Sequence, residues 1–186
     1  MKILVSAIFC ALFLFVSNSQ AQVEKKPEEP EYIGVFFFLN EGKLSGLERQ
    51  KPDTKVKVKG MGFGGAESLL QINGERSPVR FKSDQTLELV VRVTSQATDP
   101  MSLIQFFRFE AKKGMRRLQL AKAGSMGMNG KSTINQNAVS FNAVKYGESS
   151  FKIVPANDLG PGEYCLSGQG NQDAFCFGID AAIVSK

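Results

Sequence analysis

The sequence predicts an all-β protein, a single antiparallel β-sandwich, and three observations carry that expectation. Short apolar runs recur at steady spacing, separated by Gly, Pro and Asn turns. Several runs alternate strictly between apolar and polar residues, which is the period of a strand with one buried face. No helix-length window carries a 3.6-residue apolar period, and no internal repeat is visible.

The chain opens with MKILVSAIFCALFLFVSNSQAQ. Lys2 provides a positive start, residues 3–16 form an apolar run, and Ser19 and Ala21 place small residues before a cut after Ala21. That is the pattern of a secretory signal peptide over residues 1–21. The run is shorter than the about 20 residues a spanning helix needs, so a membrane-spanning protein is not expected. Cys10 follows Phe9 rather than a small residue, which argues against lipid attachment. The polar, Pro-containing stretch QVEKKPEEPE (22–31) reads as a flexible lead-in, and residues 32–184 as the domain. The expected location is exported, periplasmic or secreted.

Each strand then follows from local pattern. YIGVFFFL (32–39) is aromatic and β-branched, and Asn40-Glu41-Gly42 ends it in a turn. TKVKVK (54–59) reads as a half-buried strand, valines inward and lysines in water. SLLQI and ERSPVRF flank Asn73-Gly74 and read as a hairpin, with Pro78 restricting the second arm to an edge or bulge. TLELVVRV (86–93) alternates, and Asp99-Pro100 breaks the chain. SLIQFFRFE and MRRLQLAK around Lys112-Lys113-Gly114 form the clearest hairpin. After a polar loop over residues 123–137 come AVSFNAV, SFKIV, EYCLS and DAFCFGID.

Cys165 and Cys176 flank the turn-forming stretch SGQGNQD. In each strand the aromatic residues have one parity and the cysteine the other, so both cysteines are expected on the outward side of one hairpin, facing each other. This predicts a cross-strand disulfide, which an oxidising compartment permits. A redox pair would use C-x-x-C at a helix start, and the spacing here differs. The chain has no histidine, and two thiolates do not complete a metal site.

The stretch LGPGEY, with Leu159, Pro161, Gly162 and Tyr164, resembles the strand-entry corner of immunoglobulin-like and fibronectin-type sandwiches, including exported bacterial ones of unknown function. The resemblance implies an inward leucine and a tyrosine hydroxyl bonded back to the backbone. The chain departs from true immunoglobulin domains in having Cys165 directly after Tyr164 and no tryptophan.

Two glycine-rich stretches imitate nucleotide motifs. GMGFGG (60–65) satisfies G-x-G-x-x-G, but a lysine-studded strand precedes it and no helix follows. SMGMNGKS (125–132) ends like a P-loop, but its first position is Ser125 and β-like sequence follows. Both read as loops, and no cofactor is expected.

Without histidine, Ser-His-Asp and Cys-His catalysis are excluded. The net charge of +5 is too diffuse for a nucleic-acid binder. Lys112, Lys113, Arg116 and Arg117 cluster on the clearest hairpin. They read either as a solvated sheet edge or, with the 123–137 loop, as a contact for an anionic envelope component or a protein partner. The expected function is an exported, non-enzymatic binding or assembly module. The alternatives are a structural accessory domain of a surface complex and a carboxylate-based hydrolase.

Overall fold

Turn chemistry fixes where this chain reverses, and strand parity fixes what each reversal buries. The computed structural model describes residues 26–124, 130–168 and 170–182. The leader, the first part of the lead-in and residues 125–129 of the polar loop lie outside the described residues. In chain order the strands are β1 (Phe36–Asn40), β2 (Lys43–Gly46), β3 (Glu48–Gln50), β4 (Asp53–Val58), β5 (Ala66–Asn73), β6 (Arg80–Lys82) and β7 (Leu89–Arg92). They continue with β8 (Ile104–Lys112), β9 (Met115–Ala123), β10 (Lys131–Ser132), β11 (Phe141–Tyr146), β12 (Ser150–Pro155), β13 (Gly162–Gly168) and β14 (Ala174–Asp180). A one-turn helix, α1 (Pro100–Leu103), is capped by Asp99, whose carboxylate accepts from the Met101 amide at 2.9 Å. Among the described residues no helix is long and apolar enough to cross a membrane.

The protein is all-β, with two antiparallel sheets. The smaller has the order β11-β12-β7-β1-β2. The larger runs β3-β14-β13-β8-β9-β5-β4, with β10 beside β9 and β6 pairing in parallel with β14. Its two outermost strands, β3 and β4, are consecutive in the chain and separated only by Lys51 and Pro52. A seven-strand path whose edges are so tethered must bend round on itself, and the sheet is strongly curled. Two-residue turns with both residues at positive φ join β1 to β2 (Glu41 49°, Gly42 77°) and β8 to β9 (Lys113 56°, Gly114 75°). Such turns match the twist of the flanking strands.

Two cores result. Between the sheets, Phe36 meets Phe175 with ring centroids 5.5 Å apart, Phe38 meets Phe81 at 4.4 Å and Phe106 meets Phe141 at 6.4 Å. Inside the curl a second core gathers Ile72, Phe109, Leu118, Ala174 and the two cysteines. Strands β13 and β14 separate the cores and are buried on both faces. Tyr164, Leu166, Phe175 and Phe177 serve the first, and Cys165 and Cys176 the second.

Cys165 stands opposite Cys176 in the β13–β14 register, and the two are joined in a disulfide. The parity argument assigns the correct pair of faces, but the cysteine face looks into the second core rather than outward. Closing a loop of this length stabilises by about 3 kcal/mol through the entropy removed from the unfolded chain.

Two other expectations need correction. Asn73-Gly74 does not close a hairpin. Beyond it the chain leaves β5 for the other side of the sheet, where β6 pairs with β14. The turn is held instead by the β8–β9 hairpin, through Gly74 N to Gly114 O at 3.1 Å and Gly114 N to Glu75 at 2.6 Å. β4 is exposed on both faces rather than half-buried, because it is a sheet edge with nothing described across from its valines.

In the described part of the lead-in, Glu29 is bonded to the smaller sheet. Its carboxylate accepts from the amides of Glu148 (2.8 Å) and Ser149 (2.9 Å) and from the Ser150 hydroxyl (2.7 Å) at the β11–β12 turn. Burial pushes this carboxyl up, but those bonds and nearby Arg92 outweigh it and hold it below its ordinary range. The GMGFGG stretch is the β4–β5 connection, closed by Lys59 N to Gly65 O at 2.9 Å.

Candidate functional site: the interior of the curled sheet

Strand alternation sends every second side chain of β5, β8, β9, β13 and β14 into the curl. The two ends of that interior differ completely. At one end β9 contributes Arg116, which is 0% exposed. Its guanidinium donates to both carboxylate oxygens of Glu48, at 2.6 and 2.8 Å, and to the carbonyls of Asn73 and Gly74, each at 3.1 Å. Glu163, also buried, lies 3.9 Å away, accepts from the Ser77 amide at 2.8 Å and pairs with Arg80. Arg80 continues the chain to Asp180 at 2.6 Å, and Arg76 meets the same carboxylate at 2.8 Å. Gly178 makes room for it, since a Cβ there would collide with the Arg80 guanidinium. Burial pushes Glu48 up, but hydrogen bonds from Arg116, Ser77 and Gln50 prevail and lower it. Arg80 is raised, first by its bond to Asp180. Most donors in this cluster face carboxylates or carbonyls, so this end is a polar lock that ties β3, β5, β6, β9, β13 and β14 together.

The other end is open. A pocket of about 570 Å³ penetrates the curl, walled by Leu70, Phe107, Phe109, Leu118 and Leu120, with Ile134 at its side. The disulfide strand contributes Cys165 to the floor. Polar groups stand around it, among them Lys51, Asp53, Gln105 and Gln172. Asp173 also borders it, but Arg49 donates to this carboxylate through Nε at 2.8 Å. The volume lies within the range of small-molecule sites, and apolar walls with a few polar groups are their usual make-up.

The sequence-predicted residues distribute differently from expectation. Of the four basic residues, Lys112 and Lys113 are exposed and Arg117 is half-buried on the outer face. These three share a groove of about 450 Å³ with Gln136 and Asn137 of the polar loop, and Glu67 and Glu110 face it too. The buried Nε of Arg117 has no hydrogen-bond partner among the described residues. Arg116 does not belong to that surface. It has the parity of Leu118 and Leu120 and follows them into the curl, where Glu48 neutralises it. That parity was a usable signal, because MRRLQLAK places Arg116, Leu118 and Leu120 on one face and Arg117 and Gln119 on the other. Glu163 carries the same signal, two residues before Cys165. At the LGPGEY corner the Tyr164 hydroxyl donates to Gly160 O at 2.8 Å, and Leu159 packs on the first core. Pro161 accepts from Arg108 at 2.8 Å, and Gly162 begins β13.

No family model matches the chain, and no curated protein and no solved structure matches it.

Proposed function

We propose that this is an exported, non-catalytic binding module of β-sandwich architecture that holds a small apolar or amphiphilic ligand inside its curled sheet. The observation that carries the reading is the open pocket walled by Leu70, Phe107, Phe109, Leu118, Leu120 and Ile134, next to a fully locked opposite end. Apolar walls favour an acyl or aromatic moiety, and Lys51 with its polar neighbours suits a polar head group. Export is supported by the signal-like leader and by the disulfide. The Tyr164–Gly160 bond supports a corner of the immunoglobulin-like kind. A non-catalytic role is supported by Asp173, whose carboxylate is bound to Arg49 rather than presented to the pocket as half of an acid–base pair.

The test is titration with anilinonaphthalene sulfonate and displacement by decanoate. The wild-type chain is expected to bind the dye saturably and to release it to decanoate, and Leu120→Arg to lose both responses while keeping its fold. No saturable binding, or unchanged binding by Leu120→Arg, overturns the reading.

A second reading concerns the outer groove. Lys112, Lys113 and Arg117, whose Nε has no partner among the described residues, favour contact with an anionic envelope component, through three basic residues rather than four. That contact would weaken with salt, since exposed charges are screened over about 8 Å at physiological ionic strength. Unchanged binding of anionic vesicles by a Lys112→Glu, Lys113→Glu, Arg117→Glu chain would remove it.

A further inference from the structure

The larger sheet curls without closing. Its path ends at β4, which among the described residues pairs with β5 and has no strand on its other side. β4 is short, extended and rich in β-formers, and its side chains sort by parity. Lys55 and Lys57 lie on the outer face, opposite Leu69 and Glu67 of β5, while Val56 and Val58 lie on the inner face, opposite Ser68 and Ala66. The valines are 67% and 63% exposed, although they continue the face that elsewhere in this sheet forms a core. Lysines alone would be ordinary protection of an edge against unwanted pairing. Uncovered β-branched residues on the opposite face of the same edge call for something to cover them.

We propose that the β4 edge is a strand-addition site for an extended segment of another protein in which acidic and apolar residues alternate. Such a segment continues the sheet by backbone hydrogen bonding. Its acidic residues stand beside Lys55 and Lys57, and its apolar residues extend the row of Val56 and Val58 into the open side of the curl. The same lysines select against a second copy of this chain. Antiparallel pairing of two β4 strands sets lysine faces side by side, and like charges across a strand pair are destabilising. The edge thus discriminates by repulsion as well as by attraction. Asp53 at the start of β4 borders the pocket, but Val56 and Val58 do not line it, so the edge does not depend on a ligand being there.

The experiment measures fluorescence anisotropy of short synthetic peptides with the full chain. A peptide of alternating Val and Glu is expected to bind, and one of alternating Val and Lys to bind about tenfold more weakly or not at all. The Lys55→Glu, Lys57→Glu chain is expected to reverse that preference. A Val/Glu peptide N-methylated at alternate residues, which cannot complete the ladder, is expected not to bind. The proposal is overturned if the N-methylated peptide binds as well as the parent, or if wild-type chain prefers the Val/Lys peptide or neither. It is also overturned if the wild-type chain self-associates through β4, as judged by loss of the dimer on Val56→Lys substitution. Because the peptide pair is compared on the unmodified chain, the result stands even if the charge-swapped chain folds poorly.

Discussion

The two ends of the curled sheet are built from the same strands and yet behave as opposites. At the Arg116 end, inward positions carry Arg116, Glu48, Glu163 and Arg80, and the space is filled by charge matched to charge. At the Leu120 end, inward positions carry Leu70, Phe107, Leu118 and Leu120, and the space is left open. An apolar end could have collapsed on itself, since nothing in its chemistry opposes contact. The lock and the disulfide hold the curl from the far side and the floor, so the apolar end stays apart without filling. Buried ion pairs are weak contributors to stability relative to apolar packing, but they tolerate few alternative arrangements. In this account their role is to set the spacing of the strands, and the empty end is where that spacing becomes useful.

Breaking the lock should have the largest effect. Arg116→Met leaves Glu48 beside Glu163 in a buried space without its cation, and removal of one partner of such a pair typically costs about 3–5 kcal/mol. Urea unfolding should report a loss of that size, whereas Arg117→Met, one residue away on the other face, should change little. Equal losses for both would mean that the parity distinction carries no energy. The staple comes next. Replacing both cysteines by Ala removes a loop constraint and some buried volume, and the midpoint of unfolding should fall by the equivalent of about 3 kcal/mol. Reduction of the native chain should produce a similar shift.

Acid should act on the locked end and on the Glu29 anchor before it acts on the open end. Glu48 and Glu29 both have folded-state values below their ordinary 4.5. Their contribution is therefore complete above that value and is lost as pH falls through the folded pKa. Stability should decline on acidification below about pH 4.5, and Glu29→Gln should make the decline shallower. In Arg116→Met the decline should also be shallower, because Glu48 loses the hydrogen bonds that lower it and its burial then favours the protonated form. A pH profile indistinguishable from wild type in both variants would contradict these assignments. The smallest effects belong to the exposed turn. Lys112→Glu and Lys113→Glu should each alter stability by less than about 0.5 kcal/mol in thermal melts.

How much of this was legible in the sequence depends on the range of the interaction responsible. The turns at Glu41-Gly42 and Lys113-Gly114 and the β13–β14 pairing around the cysteines are local, and local residue chemistry announces them. Asn73-Gly74 looked equally local and misled. Its position is set by Gly114, whose carbonyl accepts from the Gly74 amide and whose amide donates to Glu75, and the following chain is captured by β14 and by Glu163 through the Ser77 amide. The burial of Arg116 needed a carboxylate on β3, far away in sequence, so a cluster of basic residues read as one surface when parity already divided it. The pocket had no sequence signature. Its wall residues look like any strand core, and the long-range curl, tethered from β3 to β4 and held by the lock and the disulfide, makes them line a space instead of filling one.

Occupancy of the open end of the curl by an apolar ligand can be read directly. The chain has no tryptophan, so Leu120→Trp places a single indole in the pocket wall, and Val144→Trp places one on the exposed surface of the smaller sheet as a control. Titration with a brominated decanoic acid, whose bromine quenches indole emission at contact, measures occupancy directly. Saturable quenching is expected at position 120 and none at position 144. No quenching at 120, or the same unsaturable quenching at both, would contradict it.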